Sequence, residues 1–144
     1  MKIYFACSIT GGRDDEAVYR RIVDALLSAG HEVPTALLAG PDVMELESIV
    51  DPQEVYTRDT GWIEESAALV AEVSTPSHGV GYEIGYALQR GKKVLCLHRA
   101  EVPVSKMITG NRSPGLSVFA YDNAEEAIRH LQNWLGNALE NEPT

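Results

Sequence analysis

Cysteine is scarce in this chain: only Cys7 and Cys96 are present, both in apolar surroundings and without metal-ligand spacing. That excludes a disulfide framework or a zinc cluster, and both are expected as reduced thiols. Long apolar runs are missing as well. Nothing approaches the roughly 18 residues of a membrane-spanning helix, and Met1-Lys2-Ile3 leads into a strand-like segment instead of a signal peptide, so a cytoplasmic protein is expected. Positive charge is in short supply, with 12 Lys and Arg against 21 Asp and Glu, a formal net charge of −9 and a pI near 4.8. Such a surface repels polyphosphate, which argues against nucleic-acid and anionic-membrane partners. Small anions are still accessible to it, because backbone amides at a helix N-terminus bind phosphate whatever the net charge. His31, His78, His98 and His130 have no paired ligand spacing, so no metal is expected.

What is present is an ordinary globular composition, 44% hydrophobic and 23% charged over 144 residues. That suits one domain, read as residues 1–138 followed by a polar tail, 139–144. Ile3 to Cys7 is a short apolar run stopped by Ser8-Ile9-Thr10-Gly11-Gly12, hence a strand and a loop. From Asp14 the apolar spacing becomes helical, through Ala17, Val18, Ile22, Ala25, Leu26 and Ala29, and ends at Gly30. His31-Glu32-Val33 is strand-like, and Pro34 to Val50 holds only a weak helical pattern. Asp51-Pro52-Gln53-Glu54 starts a helix, with Asp at the N-cap, Pro at N1 and Glu at N3, and this helix runs to about Glu65.

Ala67 to Val73 is a buried strand, followed by the Ser74 to Gly81 loop and a helix to about Arg90. Lys93 to Leu97, Val104 to Ile108, Leu116 to Ala120 and Asn123 to Asn137 continue as strand, short helix, strand and amphipathic helix. This alternation predicts an α/β protein with a single doubly wound, flavodoxin- or Rossmann-like domain: a five-stranded parallel sheet in the order 2-1-3-4-5, flanked by helices. The crevice then falls at the switch point, between the loops Ser8 to Gly12 and Ser74 to Gly81.

Two carboxylates stand out against that frame. In the second helix Val55, Tyr56, Asp59, Trp62 and Ile63 share one face, so Asp59 lies in the middle of a face that should be buried. Burial raises a carboxyl pKa toward the range useful to a general acid, while a structural Asp bonded to Arg58, Arg13 or backbone amides explains the position equally well. In the next helix Glu83 projects within the arc of Val80, Ile84, Ala87 and Leu88, one turn from the helix start. A dipole-stabilised surface Glu is the competing reading there. Gly79 and Gly81 let the backbone approach a ligand, and Ser77 is placed to cap the helix and to donate to an anion. A dinucleotide fingerprint after the first strand is absent, so redox cofactors fit poorly and no cofactor is expected. Paired carboxylates beside an anion loop favour acid–base or nucleophilic work at a glycosidic-type carbon.

Tyr4 to Arg13, Asp59 with Trp62, and Ala71 to Gly85, which includes Ser77-His78-Gly79-Val80-Gly81-Tyr82-Glu83, closely resemble the nucleoside 2-deoxyribosyltransferase superfamily. The resemblance runs from about Lys2 to Met107, and within the superfamily it is strongest to the branch of 2′-deoxynucleoside 5′-phosphate N-hydrolases. It implies Glu83 as the nucleophile at the sugar C1′, Asp59 as the acid that protonates the leaving base, and Tyr4 as the residue that orients the nucleophile. It further implies a nucleotide substrate held by Ser8, Ile9, Thr10, Gly11, Gly12, Arg13, Ser77 and Gly79. Met107 would be a further substrate-binding position, and Ser105 would be supplied by the neighbouring subunit of a homodimer. A Ser at position 105 follows the nucleotide hydrolases; the transferases carry Asn there. Thr10 departs from the Arg of the mammalian-type hydrolases. The expectation is an N-glycosidase of (deoxy)nucleoside 5′-monophosphates, with a base-exchanging transferase and a non-catalytic nucleotide-binding or flavodoxin-like module as the alternatives.

Overall fold

In the computed structural model, which describes residues 1–9, 15–40 and 50–140, β1 (Ile3–Ala6), β2 (Ala68–Glu72), β3 (Lys93–Arg99) and β4 (Leu116–Tyr121) form one parallel sheet in the order β1-β2-β3-β4. Ile3 pairs with Ala68, Ala68 with Lys93 and Val94 with Leu116 at the start of each ladder. Every residue of β1 and β2 is buried, as expected of near-continuous apolar strands covered on both faces.

Alternation along the strands divides the interior. Ile3, Phe5, Val70, Leu95 and Leu97 face a layer made by α1 (Glu16–Ser28) and the C-terminal helix (Ala124–Glu140). Tyr4, Ala6, Leu69, Ala71, Val94 and Cys96 face the opposite layer, made by α2 (Pro52–Glu65) and α3 (His78–Gln89). Helices on both faces of a parallel sheet make the doubly wound architecture expected from the alternation of elements. A short helix, α4 (Lys106–Thr109), follows β3, and the C-terminal helix is therefore α5. Gly30 and Gly91 close α1 and α3 with positive φ values of 87° and 73°, which suit glycine at a helix end.

The expected five strands are four. His31 to Val33 contributes a single bridge, Lys2 to Glu32, on the side of β1 away from β2. Pro34 follows at once, and the Thr35 hydroxyl takes the place of a continuing strand: it accepts from the Phe5 amide at 3.1 Å and donates to the Phe5 carbonyl at 2.7 Å. One side chain therefore satisfies the Phe5 backbone groups that a full second strand would have paired. The order 2-1-3-4-5 is accordingly replaced by four strands, while the switch point stays beside β1, now between β1 and β2. The weak helical pattern after Pro34 is a 3-10 turn, Ala36–Ala39. Residues 41–49 and the last four of the expected tail lie outside the described residues. Among the described residues, no helix is long and apolar enough to cross a membrane. Both cysteines are free and buried, and burial pushes the Cys96 thiol up to about 12.

Candidate active site

At the carboxyl end of β1 the chain passes from Tyr4, which is 1% exposed, to the fully buried Ser8. At the carboxyl end of β2 it passes through Ser74 and Thr75 to Ser77, whose extended backbone (φ −149°, ψ 124°) begins α3. The Ser77 hydroxyl accepts from the Val80 amide at 3.3 Å, so the expected cap is present and the hydroxyl proton is left to donate. A Cβ added to Gly79 would lie 3.8 Å from Glu83 Oε1 and 3.9 Å from Ser77 Oγ, which places the Glu83 carboxylate against the open first turn of α3.

Tyr4 joins the two carboxylates. Its hydroxyl donates to Glu83, and its pKa is driven far above the ordinary value, first by burial and then by the charges of Glu83 and Asp59, with Arg58 opposing. A phenol in that position stays protonated at any physiological pH and serves as a fixed donor. Three expected residues, from β1, α2 and α3, thus meet in one place, and none of the three is adjacent in sequence.

The environment of Asp59 differs from the sequence expectation. Ile63 is the one fully buried residue of α2, Tyr56 is 53% exposed, and the Asp59 side chain retains 18% exposure. The apolar stripe of α2 is too short to press the whole face against the sheet, so its N-terminal half borders the crevice. Arg58 Nε donates to Asp59 Oδ1 at 2.8 Å, and the Arg58 guanidinium also stands 4.9 Å from the centroid of the Trp62 ring. The structural partner considered for Asp59, Arg58, is therefore present.

Beside this centre lies a cavity of about 560 Å³, between the first turns of α3 and the segment 103–111. Val73, Val80, Ile84 and Ile108 give it apolar walls, while Ser77, His78, Ser105 and Met107 reach it from either side. Ser105 is exposed and caps α4 by accepting from the Met107 amide at 3.2 Å, and the Met107 side chain is 85% exposed. Tyr4, Asp59 and Glu83 do not line this cavity. Ser77 is the residue common to both places, and Ile9 is half-buried at the end of β1. Thr10, Gly11, Gly12 and Arg13 lie outside the described residues. Among the described residues no cluster of His, Cys, Asp or Glu is arranged to hold a metal.

Sequence reasoning missed Glu72 with Tyr121 and Asp15 with Arg99, two bonded pairs joined through Ser74 beneath the crevice loops. The available signal was Glu72 itself, a charged residue inside an otherwise apolar strand.

The family model for nucleoside 2-deoxyribosyltransferase matches residues 3–134. A Methanosarcina mazei protein named "Putative 2′-deoxynucleoside 5′-phosphate N-hydrolase 1" is 47% identical over 129 residues, covering 90% of this chain and 80% of that protein. The mouse (Mus musculus) 5-hydroxymethyl-dUMP N-hydrolase is 38% identical over 133 residues, covering 90% of this chain and 76% of the mouse protein. Among solved structures, the CMP N-glycosidase of Clostridium botulinum superposes with a TM-score of 0.74 at 20% identity, over 94% of this chain and all of that one, a likeness of fold.

Proposed function

This chain belongs to the nucleoside 2-deoxyribosyltransferase family, and from that premise we propose that it hydrolyses the N-glycosidic bond of (2′-deoxy)nucleoside 5′-monophosphates. The products are free nucleobase and (2-deoxy)ribose 5-phosphate. The observation that carries the reading is the convergence of Glu83 and Asp59 on the buried Tyr4 hydroxyl. Relatives named for nucleotide N-hydrolysis support it.

In the first step a Glu83 carboxylate oxygen forms a bond to C1′ on the face opposite the base, and the C1′–N bond breaks. Asp59 delivers its proton to the departing base. In the second step water attacks C1′, the glycosyl ester bond breaks, and the ionised Asp59 takes the water's proton. Two displacements retain the configuration at C1′. Tyr4 holds the nucleophilic carboxylate in line through its hydrogen bond, and its raised pKa keeps that donor protonated throughout. No metal or other cofactor enters the scheme.

The 5′-phosphate is assigned to Ser8, Ser77 and the amides at the start of α3, with Gly79 leaving room for its oxygens. Ile9, Thr10, Gly11, Gly12 and Arg13 complete the sugar-phosphate cradle. Met107 lines the cavity as a further substrate contact, and Ser105, exposed at its edge, completes the site of a second subunit in a cytoplasmic homodimer.

An assay of dGMP, dAMP, dCMP and dTMP for base release, with and without an acceptor base, tests the proposal. Release from the monophosphates that is unaffected by acceptor is expected. Faster turnover on adding a base, with equal efficiency on nucleosides lacking phosphate, would identify a transferase. Absence of release from any substrate would leave the non-catalytic reading. Mixing Ser105→Ala with Glu83→Ala tests the shared site, because a heterodimer regains one intact site and with it activity. A mixture that exchanges subunits yet stays inactive would refute it.

A further inference from the structure

A second set of charged side chains lies directly under the crevice loops and has no part in the scheme above. Glu72, the last residue of β2, is 0% exposed. A carboxylate removed from water in this way costs free energy unless donors surround it. Three do. The Ser74 amide donates to Oε1 at 2.5 Å, the Ser74 hydroxyl to Oε2 at 3.1 Å and the Tyr121 hydroxyl to Oε2 at 2.6 Å.

The chain of contacts continues from there. Ser74 Oγ accepts from the Arg99 amide at 2.8 Å, and Arg99 Nε donates to Asp15 Oδ1 at 2.7 Å. Asp15, whose side chain is 5% exposed, also accepts from the Thr75 hydroxyl at 3.3 Å. Asp15 immediately precedes α1, at the far end of the loop that leaves β1, while Ser74 and Thr75 open the loop that leaves β2. The contacts therefore bind both crevice loops to one another and to the ends of β3 and β4.

Apolar residues of similar volume often replace buried ionic groups with no loss of stability, so stability is weak ground for two buried carboxylates at this end of the sheet. Their location is firmer ground. The turn they hold, Ser74-Thr75-Pro76, delivers Ser77 and the α3 amides, and hydrogen-bond recognition of an anion depends on placement to within fractions of an ångström. At Asp15 the Arg99 guanidinium also offsets a negative charge that would otherwise repel an anion from the turn.

We propose that Glu72, Asp15, Arg99 and Tyr121 are positioning residues that set the 74–77 turn for the substrate's 5′-phosphate. The inference rests on the assignment of that phosphate to the Ser77 turn.

The test compares each deoxynucleoside monophosphate with its parent deoxynucleoside in wild type, Tyr121→Phe, Arg99→Gln and Arg99→Lys. Tyr121→Phe removes one donor to Glu72, and Arg99→Gln breaks the ion pair at a residue that is one-third exposed, so a variant that folds is available even if Tyr121→Phe does not. Both are expected to raise KM for the monophosphate about tenfold, the size of one lost hydrogen bond. Turnover at saturation and kcat/KM for the parent nucleoside should stay within about twofold of wild type, a margin that separates them from that tenfold effect. Arg99→Lys, which keeps a cation beside Asp15, should recover most of the loss. Equal losses on both substrates, or no loss on either, would overturn the inference. A wild-type enzyme indifferent to the phosphate would instead overturn the assignment beneath it, and the inference with it.

Discussion

The two helix layers that cover the sheet are built differently. On one face α1 buries Tyr19, Ile22, Val23 and Leu26, and α5 adds Ala127, Leu131, Trp134, Leu135 and Ala138. On the other face α2 buries only Ile63, α3 buries Val80, Ile84 and Ala87, and Trp62 packs half-buried against them. Among the described residues the carboxylates buried at the first layer, Glu72 and Asp15, are held by hydrogen bonds and an ion pair at the end of the sheet; the second layer presents Asp59 and Glu83 beside a buried tyrosine. On the proposed function, the larger apolar contact and the chemistry lie on opposite faces. A carboxylate that must exchange protons with substrate cannot be sealed in the interior, and a helix carrying one gives up part of its apolar contact.

The division is tested most severely by Glu83→Ala. We expect base release to vanish while the thermal midpoint stays close to wild type, since the side chain is half-buried and outside the core. Wild-type turnover by this variant would remove Glu83 from the chemistry. Asp59→Asn should slow cleavage by roughly 10²–10⁴-fold for substrates with poor leaving groups and much less for activated ones. Steady-state rates across a leaving-group series decide it, and a uniform loss would reduce Asp59 to a positional role.

On the opposite face, Ile22→Ala should cost about 2–5 kcal/mol in urea unfolding, because the side chain is fully buried, while kcat of the folded fraction stays unchanged. A large kcat effect there would show that the two faces are coupled.

The smallest effect concerns Glu72. Desolvation raises its pKa above the ordinary 4.5, against the pull of Tyr121 and Ser74. The folded protein therefore binds this proton more tightly than the unfolded chain does. The associated stability is present below the ordinary value and is lost as pH rises through the raised one. Glu72→Gln should flatten that segment of the stability-against-pH curve, read from chemical unfolding at a series of pH values. An unchanged slope would mean that Glu72 is not desolvated.

Much of this division is legible in the sequence because it follows from period. The helical stripe from Val18 to Leu26 and the apolar runs around Leu69 and Leu95 announce a sheet with helices on both sides. Asp59 and Glu83 announce themselves by interrupting such stripes. The second strand was over-read because Glu32 and Val33 carry a strand pattern, and nothing local shows that Thr35 will fold back onto Phe5. Tyr56 was placed inside because helical periodicity gives a direction but not the extent of the surface that receives it. The network from Glu72 to Asp15 was invisible because Glu72 lies 49 positions from Tyr121 and Asp15 lies 84 positions from Arg99, and Ser74 and Arg99 join the two pairs.

The central claim is double displacement at C1′ by Glu83, and stereochemistry tests it most directly. With a β-configured deoxynucleoside monophosphate turned over in buffer containing methanol, proton NMR of the trapped methyl glycoside reports the face of attack. The account predicts the β-methyl 2-deoxyriboside 5-phosphate, the product of two inversions. Formation of the α-anomer would mean a single direct displacement by the acceptor, with no glycosyl ester on Glu83, and would contradict it.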